Sequence, residues 1–342
     1  MSQQLQGLDL PAVGARLADV LGDERWRQPS ASLITGGKSN LTFRITSDAG
    51  TVILRRPPTG RILPKAHDMG REAKVQRGLA DTDVPTAPIL HEETTSELIG
   101  APFYVMGDVP GYVIRDETPQ EFATDEGRQA LAWRLADTLA ALHNVDLQAA
   151  GLTDYGRPEG FMARQVARWT KQWELAKDGE VPAVDELARR LAEGVPTAQA
   201  DGIVHGDFRL DNCIVAPEQP PRVAAVLDWE LSTLGDPLAD LGMTLMYWSD
   251  PADPVAQMVP SVTGEPGYPD RAALAQRYAA GTGFDLEPLP YYEAFARLKF
   301  AAIAQGVSMR AKSGVMGDQE FADHGDVVPT LAEHGLAILD RK

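Results

Sequence analysis

At 342 residues the chain is longer than one hydrophobic core normally organises, so two lobes are expected. A hydrophobic fraction of 44% and a charged fraction of 24% exclude long intrinsic disorder. Asp and Glu outnumber Lys and Arg by 49 to 32, a net charge of −17 that repels nucleic acid and anionic membrane, with no basic patch in the sequence to reverse it.

The opening MSQQLQGLDL has neither the basic start nor the apolar run of a secretory signal, and no stretch approaches the ~18 apolar residues of a membrane span. A cytoplasmic protein is therefore expected. The single cysteine, Cys213, excludes an internal disulfide and a CxxC metal site, and reads as a small core residue rather than a nucleophile.

Residues 10–21 carry Leu and Val at helical spacing. Strand-like pieces follow at 31–35, 41–46 and 51–55, the last two joined by Ser47-Asp48-Ala49-Gly50, a hairpin signal. Residues 67–79 read as a helix and 101–106 as a β-rich run ending at Gly107 and again at Pro110-Gly111. Residues 1–107 are thus assigned to a first, strand-rich lobe and 108–342 to a second. In the second, helical periodicity recurs at 119–143, 159–177, 183–194, 237–248, 270–281, 288–311 and 318–338. Short apolar pieces at 203–204, 213–215 and 223–227 interrupt it, while the proline-rich segments 217–221 and 250–269 read as turns or surface loops.

Those short pieces frame two polar clusters. HGDFRLDN (205–212) follows Ile203-Val204, and AAVLDWE (224–230) places Asp228 where a strand should end. A single carboxylate at a strand end is usually an Asx turn. However, Asp228 lies 16 residues after Asn212 with two short apolar strands between them, enough for a hairpin that would return it beside the first cluster. Asp207, Asn212 and Asp228 together suit phosphoryl transfer from a nucleotide, in which the protein orients a hydroxyl and holds Mg²⁺ against phosphates. Because Mg²⁺ takes oxygen ligands and keeps several waters, one carboxylate (Asp228) and one amide oxygen (Asn212) suffice. Asp207 would then accept the hydroxyl proton.

The ordered series H-G-D-x-x-x-x-N (His205 to Asn212), L-D-W-E, and G-D-P-L-A-D-L (Gly235 to Leu241) resembles the aminoglycoside phosphotransferase and choline kinase group of small-molecule kinases. Its wording is most similar to the kinase-like domains attached to some acyl-CoA dehydrogenases. The resemblance covers nearly the whole chain from about residue 30. It implies an α+β, protein-kinase-like two-lobed fold, with a small antiparallel-sheet N-lobe and a mainly helical C-lobe.

By that resemblance Asp207 matches the catalytic base, and Asn212 and Asp228 match the metal ligands. Arg209 stands where it could neutralise charge on the transferred phosphate, the alternative being a surface pair with Asp211. His205 supports the loop by hydrogen bonding. Gly36, Gly37, Ser39 and Asn40 in TGGKSNLTF match the loop over the nucleotide phosphates. In VILRR, Arg55 occupies the place of a phosphate-binding lysine, with Arg56 the alternative if the strand register slips by one. Glu72 matches the helix glutamate that pairs with that position; the bland reading is a surface pair. Met106, Gly107, Asp108 and Val109 match the inter-lobe hinge, whose backbone would meet the purine, so ATP and GTP both fit. Asp236 with Pro237 reads as a helix cap, and Asp240 as a brace beneath the catalytic loop.

Asp236 comes only eight residues after Asp228, which leaves little room for a peptide-binding segment. The expectation is an ATP- and Mg²⁺-dependent phosphotransferase acting on a hydroxyl of a small molecule, the resemblance pointing to a hydroxyacyl compound or its CoA thioester. Arg61, Lys65, Arg164, Arg168 and Lys171 are available for a CoA phosphate. A nucleotide-binding pseudokinase without turnover is the alternative, motivated by Arg55. Hydrolytic metal chemistry through His205, Asp207 and Asp211 would leave the glycine-rich turn and hinge without purpose.

Overall fold

The first helix, α1 (Leu10–Leu21), has the punctuation its sequence demands. The Asp9 carboxylate accepts the Ala12 N–H at 3.1 Å, Pro11 sits in the first turn, and Gly22 closes the helix at φ 68°. The computed structural model that shows this describes residues 5–35, 40–60, 67–259, 261–312 and 325–341. By contact the chain divides into two units: Met1–Gly111 with Gln148–Tyr155 and Ala224–Leu231, and Tyr112–Leu147 with Gly156–Val223 and Ser232–Lys342.

The first unit is built on a five-stranded antiparallel sheet of β1 (Ser30–Leu33), β2 (Leu41–Ser47), β3 (Gly50–Arg56), β4 (Ile89–Glu93) and β5 (Phe103–Gly107), in the order β1-β2-β3-β5-β4. Ser47 pairs with Gly50 across a two-residue turn, and Gly50 at φ 138° supplies a conformation other residues avoid. The sheet is covered on both faces. Phe43, Ile45, Val52, Leu54, Phe103 and Val105 share a core with Val13, Leu17 and Ala18 of α1. Ile53, Tyr104 and Met106 pack with Met69 and Ala73 of α2 (Met69–Leu79) on the other. Double burial explains why β3 reads as a continuous apolar run. Strand alternation then sends Arg55 to the face of Ile53 and α2, and Arg56 to the face of Leu54. Strand β4 went unrecognised because its HEE ending carries more charge than apolar pattern.

In the second unit, α3 (Asp125–His143), α4 (Phe161–Ala176), α5 (Pro182–Glu193), α6 (Leu238–Tyr247), α7 (Val255–Met258), α8 (Arg271–Thr282), α9 (Leu289–Lys312) and α10 (Val328–Leu339) dominate. Short strands β6 (Gly202–Val204), β7 (Cys213–Ala216) and β9 (Thr233–Gly235) are set among them, β6 pairing antiparallel with β9, while β8 (Arg222–Val226) runs from this unit into the Ala224–Leu231 segment of the first. Helix α9 packs against α4, α5, α6 and α10, and is buried on most of its circumference, as its Tyr292, Phe295 and Leu298 show. The helix expected from 119 begins instead at Asp125, because the Thr124 hydroxyl accepts the Gly127 N–H at 3.1 Å and caps it there; Gln120–Phe122 form a separate 3-10 turn. Segment 250–269, expected to be loop, contains α7. Of the helix expected over 318–338, residues 318–324 lie outside the described residues, and the described part is helical from Val328 to Leu339. No helix among the described residues is long and apolar enough to cross a membrane.

Candidate active site

In the first unit the charged centre is Arg55. Its Nε donates to Glu72 Oε2 at 2.9 Å and its terminal nitrogen to Asp228 Oδ1 at 2.5 Å, with Glu230 Oε2 at 3.8 Å. The Arg55 side chain is 12% exposed and that of Glu72 1%, so the pair is interior rather than a surface contact. Glu72 also accepts from Tyr104 Oη at 3.0 Å and from Asn40 Nδ2 at 3.1 Å. Burial pushes the Glu72 carboxyl up to about 7, against the pull of Arg55 and the Tyr104 bond. Arg55 is desolvated as well, yet Glu72, Tyr104, Asp228 and Glu230 hold its guanidinium firmly charged.

Arg56 resolves the register question. It is buried on the opposite face, donating to the carbonyls of Pro57 and Ile99, each at 3.0 Å, and to that of Gly7. Arg55 is therefore the arginine that meets Glu72. Asn40 meets carboxylates. Its amide nitrogen donates to Glu72 and, at 3.0 Å, to Glu230, and so aligns two carboxylates. Gly36, Gly37 and Ser39, with Arg61 and Lys65, lie outside the described residues.

Asp228 is held by its neighbours. The Val226 N–H donates to the Pro85 carbonyl at 2.8 Å, Trp229 is buried and its Nε1 donates to the Val226 carbonyl at 3.0 Å, and the turn Trp229–Leu231 packs on α2. Asp228 itself has φ 62°, in the left-handed region that non-glycine residues avoid. Such strain is kept where surroundings over-determine it, commonly at functional sites. Along β5, Met106 pairs with Ile53 and Gly107 with Val52, and the Gly107 N–H donates to the Pro88 carbonyl at 2.9 Å. Asp108 and Val109 lie just past the paired strand, and the Asp108 carboxylate accepts from Arg44.

In the second unit, the 205–212 loop is anchored through its backbone. Asp240, fully buried at the start of α6, accepts the His205 N–H at 2.5 Å and the Gly206 N–H at 2.7 Å. Burial opposes its ionisation, but the bond from His143 and the neighbouring His205 and Gly206 groups hold its carboxyl below the usual range. His205 is buried, with its Nδ1 accepting the Asp207 N–H at 3.3 Å. Asn212 Nδ2 donates to both the main-chain carbonyl and Oδ2 of Asp207, at 2.8 and 3.0 Å. Arg209 pairs with Asp211, and its guanidinium lies 4.7 Å from the Tyr247 ring centre. Asp236 caps Leu238 at 3.1 Å and accepts from Tyr292 Oη at 2.5 Å, and its burial pushes the carboxyl up. Cys213 is buried and its thiol is pushed well up by desolvation, in keeping with a core role.

The donors present suit a nucleotide with its magnesium. Asn212 directs its amide nitrogen at Asp207, so Oδ1 is the oxygen of its side chain with the chemistry to meet a cation. Asp228 presents a carboxylate whose side chain is 33% exposed. Each is a hard oxygen donor of the kind Mg²⁺ selects. Glu230 and Lys299 were not anticipated. Glu230 is legible beforehand only as the last letter of L-D-W-E, and Lys299 only as a charge interrupting an apolar helix.

Residues 30–292 match the model of the phosphotransferase enzyme family, and the chain belongs to that family. Its fold is α+β and protein-kinase-like, with the antiparallel sheet in one unit and most of the helices in the other. The chain is similar to a candidate aminoglycoside phosphotransferase of Ralstonia eutropha JMP134, at 34% identity and TM-score 0.83, covering 96% of this chain and 98% of that one. A thermostable mutant of aminoglycoside phosphotransferase APH(4)-Ia, in ternary complex with AMP-PNP and hygromycin B, shares the fold at TM-score 0.64 and 16% identity, covering 97% of this chain and 99% of that one. Among curated relatives, acyl-CoA dehydrogenase family member 11 of Pongo abelii is 37% identical over 326 residues, covering 94% of this chain. The chain spans 41% of that relative's length.

Proposed function

We propose that this protein is an ATP- and Mg²⁺-dependent phosphotransferase that phosphorylates a hydroxyl of a small molecule. The observation that carries the reading is the pair Asp207 and Asn212, where one amide orients the carboxylate through two hydrogen bonds and keeps its own oxygen for a cation. Mg²⁺ supplies charge neutralisation at the phosphate oxygens when bound. Asn212 Oδ1 and the Asp228 carboxylate are its protein ligands. Asp207 Oδ1, outside the bond to Asn212, accepts the proton of the attacking hydroxyl. Arg55, kept cationic among carboxylates, binds nucleotide phosphate oxygens with its fork, and Glu72 sets its angle. The backbone at Asp108 and Val109 meets the purine, and Arg209 steadies charge on the transferred group. The chain works as an N-lobe of residues 1–107 and a C-lobe of 108–342, in the cytoplasm and without nucleic acid or membrane partners.

The family kinship with proteins named as acyl-CoA dehydrogenase family members supports a hydroxyacyl acceptor or its CoA thioester. The exposed Arg168 on α4 is suited to an acidic group of such an acceptor. Replacing Asp207 by Ala tests the reading. Phosphoryl transfer from ATP, followed by mass spectrometry across a panel of hydroxy compounds, is expected to fall by ~10²–10⁴-fold. Calorimetric binding of ATP with Mg²⁺ is expected to stay within a few-fold. Undiminished transfer would remove Asp207 from the base role.

A second reading, a nucleotide-binding module without turnover, rests on Arg55, whose fork is engaged by Glu72 and Asp228 together. Nucleotide binding with no phosphorylated product from the same panel would favour it.

A further inference from the structure

Lys299 lies in the middle of α9, is only 8% exposed, and takes part in no salt bridge among the described residues. A lysine of the interior normally either finds a carboxylate or gives up its proton, because desolvation disfavours the ammonium. Here its Nζ donates to the Gly206 carbonyl at 2.9 Å and lies 5.7 Å from the Trp169 ring centre. Burial lowers the proton affinity of the amine, and the nearby negative charges of Asp207 and Asp240 work the other way.

The carbonyl it holds belongs to the peptide linking Gly206 to Asp207. The N–H of that same peptide donates to His205 Nδ1 at 3.3 Å. The preceding peptide is fixed separately, its Gly206 N–H bonded to Asp240 at 2.7 Å. Gly206 sits at φ 87° with no side chain to resist rotation, so a flip of the 206–207 peptide would meet little steric opposition from it. A flip there would swing the Asp207 carboxylate off its line.

We propose that Lys299 is a positioning residue for Asp207, its ammonium locking the Gly206–Asp207 peptide from the carbonyl side while His205 holds the amide side. The inference rests on the reading of Asp207 as the base. Nothing in the HGDFRLDN motif announces it, since the lysine arrives from 93 residues downstream.

The test compares wild type with Lys299→Met, which keeps the length and loses the donor, and Lys299→Arg, which keeps a cationic donor. Melting curves establish that each is folded. ADP release from ATP and Mg²⁺ with water as acceptor gives kcat and KM, and hydrogen exchange by mass spectrometry over 203–213 reports the loop without reference to activity. Lys299→Met is expected to lower kcat at least tenfold with KM for ATP within twofold, and to speed exchange in the loop; Lys299→Arg is expected to recover part of both. A wild-type protein that yields neither ADP with water nor a phosphorylated product from the panel of hydroxy compounds overturns the phosphotransfer reading and the inference with it. Active wild type matched by Lys299→Met in both kcat and exchange overturns the inference alone. A Lys299→Met protein with raised KM and unchanged kcat also overturns it, because a misaligned base changes the chemical step rather than nucleotide binding.

Discussion

In the sheet unit, Arg55, Glu72, Asn40, Asp228 and Glu230 hold one another through side chains. In the helical unit, Asp207 stands on a backbone whose amides and carbonyl are bonded to Asp240, His205 and Lys299. A charged ligand competes directly for the first kind of bond, since all of these partners except the neutral amide of Asn40 are ionic groups able to exchange one counter-charge for another. It cannot easily disturb the second, where moving the loop would strand buried N–H and C=O groups. The sheet unit's cluster can therefore re-pair its charges, while the 205–207 backbone of the helical unit is held by buried partners.

The largest expected effect breaks the rigid side. Asp240→Ala would leave the His205 and Gly206 amides and His143 Nε2 without their shared acceptor in a fully buried setting, and is expected to cost about 3–5 kcal/mol in urea unfolding. A loss below 1 kcal/mol would show the anchoring to be dispensable. The adjustable side is tested by pH. Glu72 titrates near 7 in the folded protein and near 4.5 when unfolded, so between those values the folded state binds more protons and stability falls as pH rises. Glu72→Gln is expected to flatten that decline by up to about 3 kcal/mol, at ~1.36 kcal/mol per pK unit. Identical pH profiles for variant and wild type would remove Glu72 as its source.

Arg55→Lys sharpens the comparison further. An ammonium cannot reproduce the fork that reaches Glu72 and Asp228 together, so a loss of about 1–2 kcal/mol is expected in chemical denaturation. Equal stability would show that the arginine is not bridging. The smallest effect belongs to Arg44→Ala, which removes a half-exposed pair with Asp108 in the same sheet and should change stability by no more than about 0.5 kcal/mol.

Much of this was legible beforehand, for local reasons. The Ser47–Gly50 hairpin and the capped ends of α1 depend on neighbours a few residues apart, and local chemistry is written in order along the chain. HGDFRLDN likewise contains both partners of the Asn212–Asp207 bonds within a single short segment. Strand β9 was missed because three residues carry too little pattern to read, and β4 because its charged ending masked the pairing. Glu230 stood in plain sight inside a quoted motif, but its importance depends on Asn40 and Arg55, 190 and 175 positions earlier.

By itself the sequence determined the strand-then-helix order, the glycine and proline punctuation, and which carboxylates and amides are of the right type for phosphoryl transfer. It also determined that Arg55 and Arg56 face opposite ways, because strand side chains alternate. Which of the two meets Glu72 was decided by where α1 and α2 pack, and which lysine meets the Gly206 carbonyl by the path of α9. Those are choices among distant contacts, set by burial and by the requirement that buried polar groups find partners. Neither is encoded within the span of any local pattern.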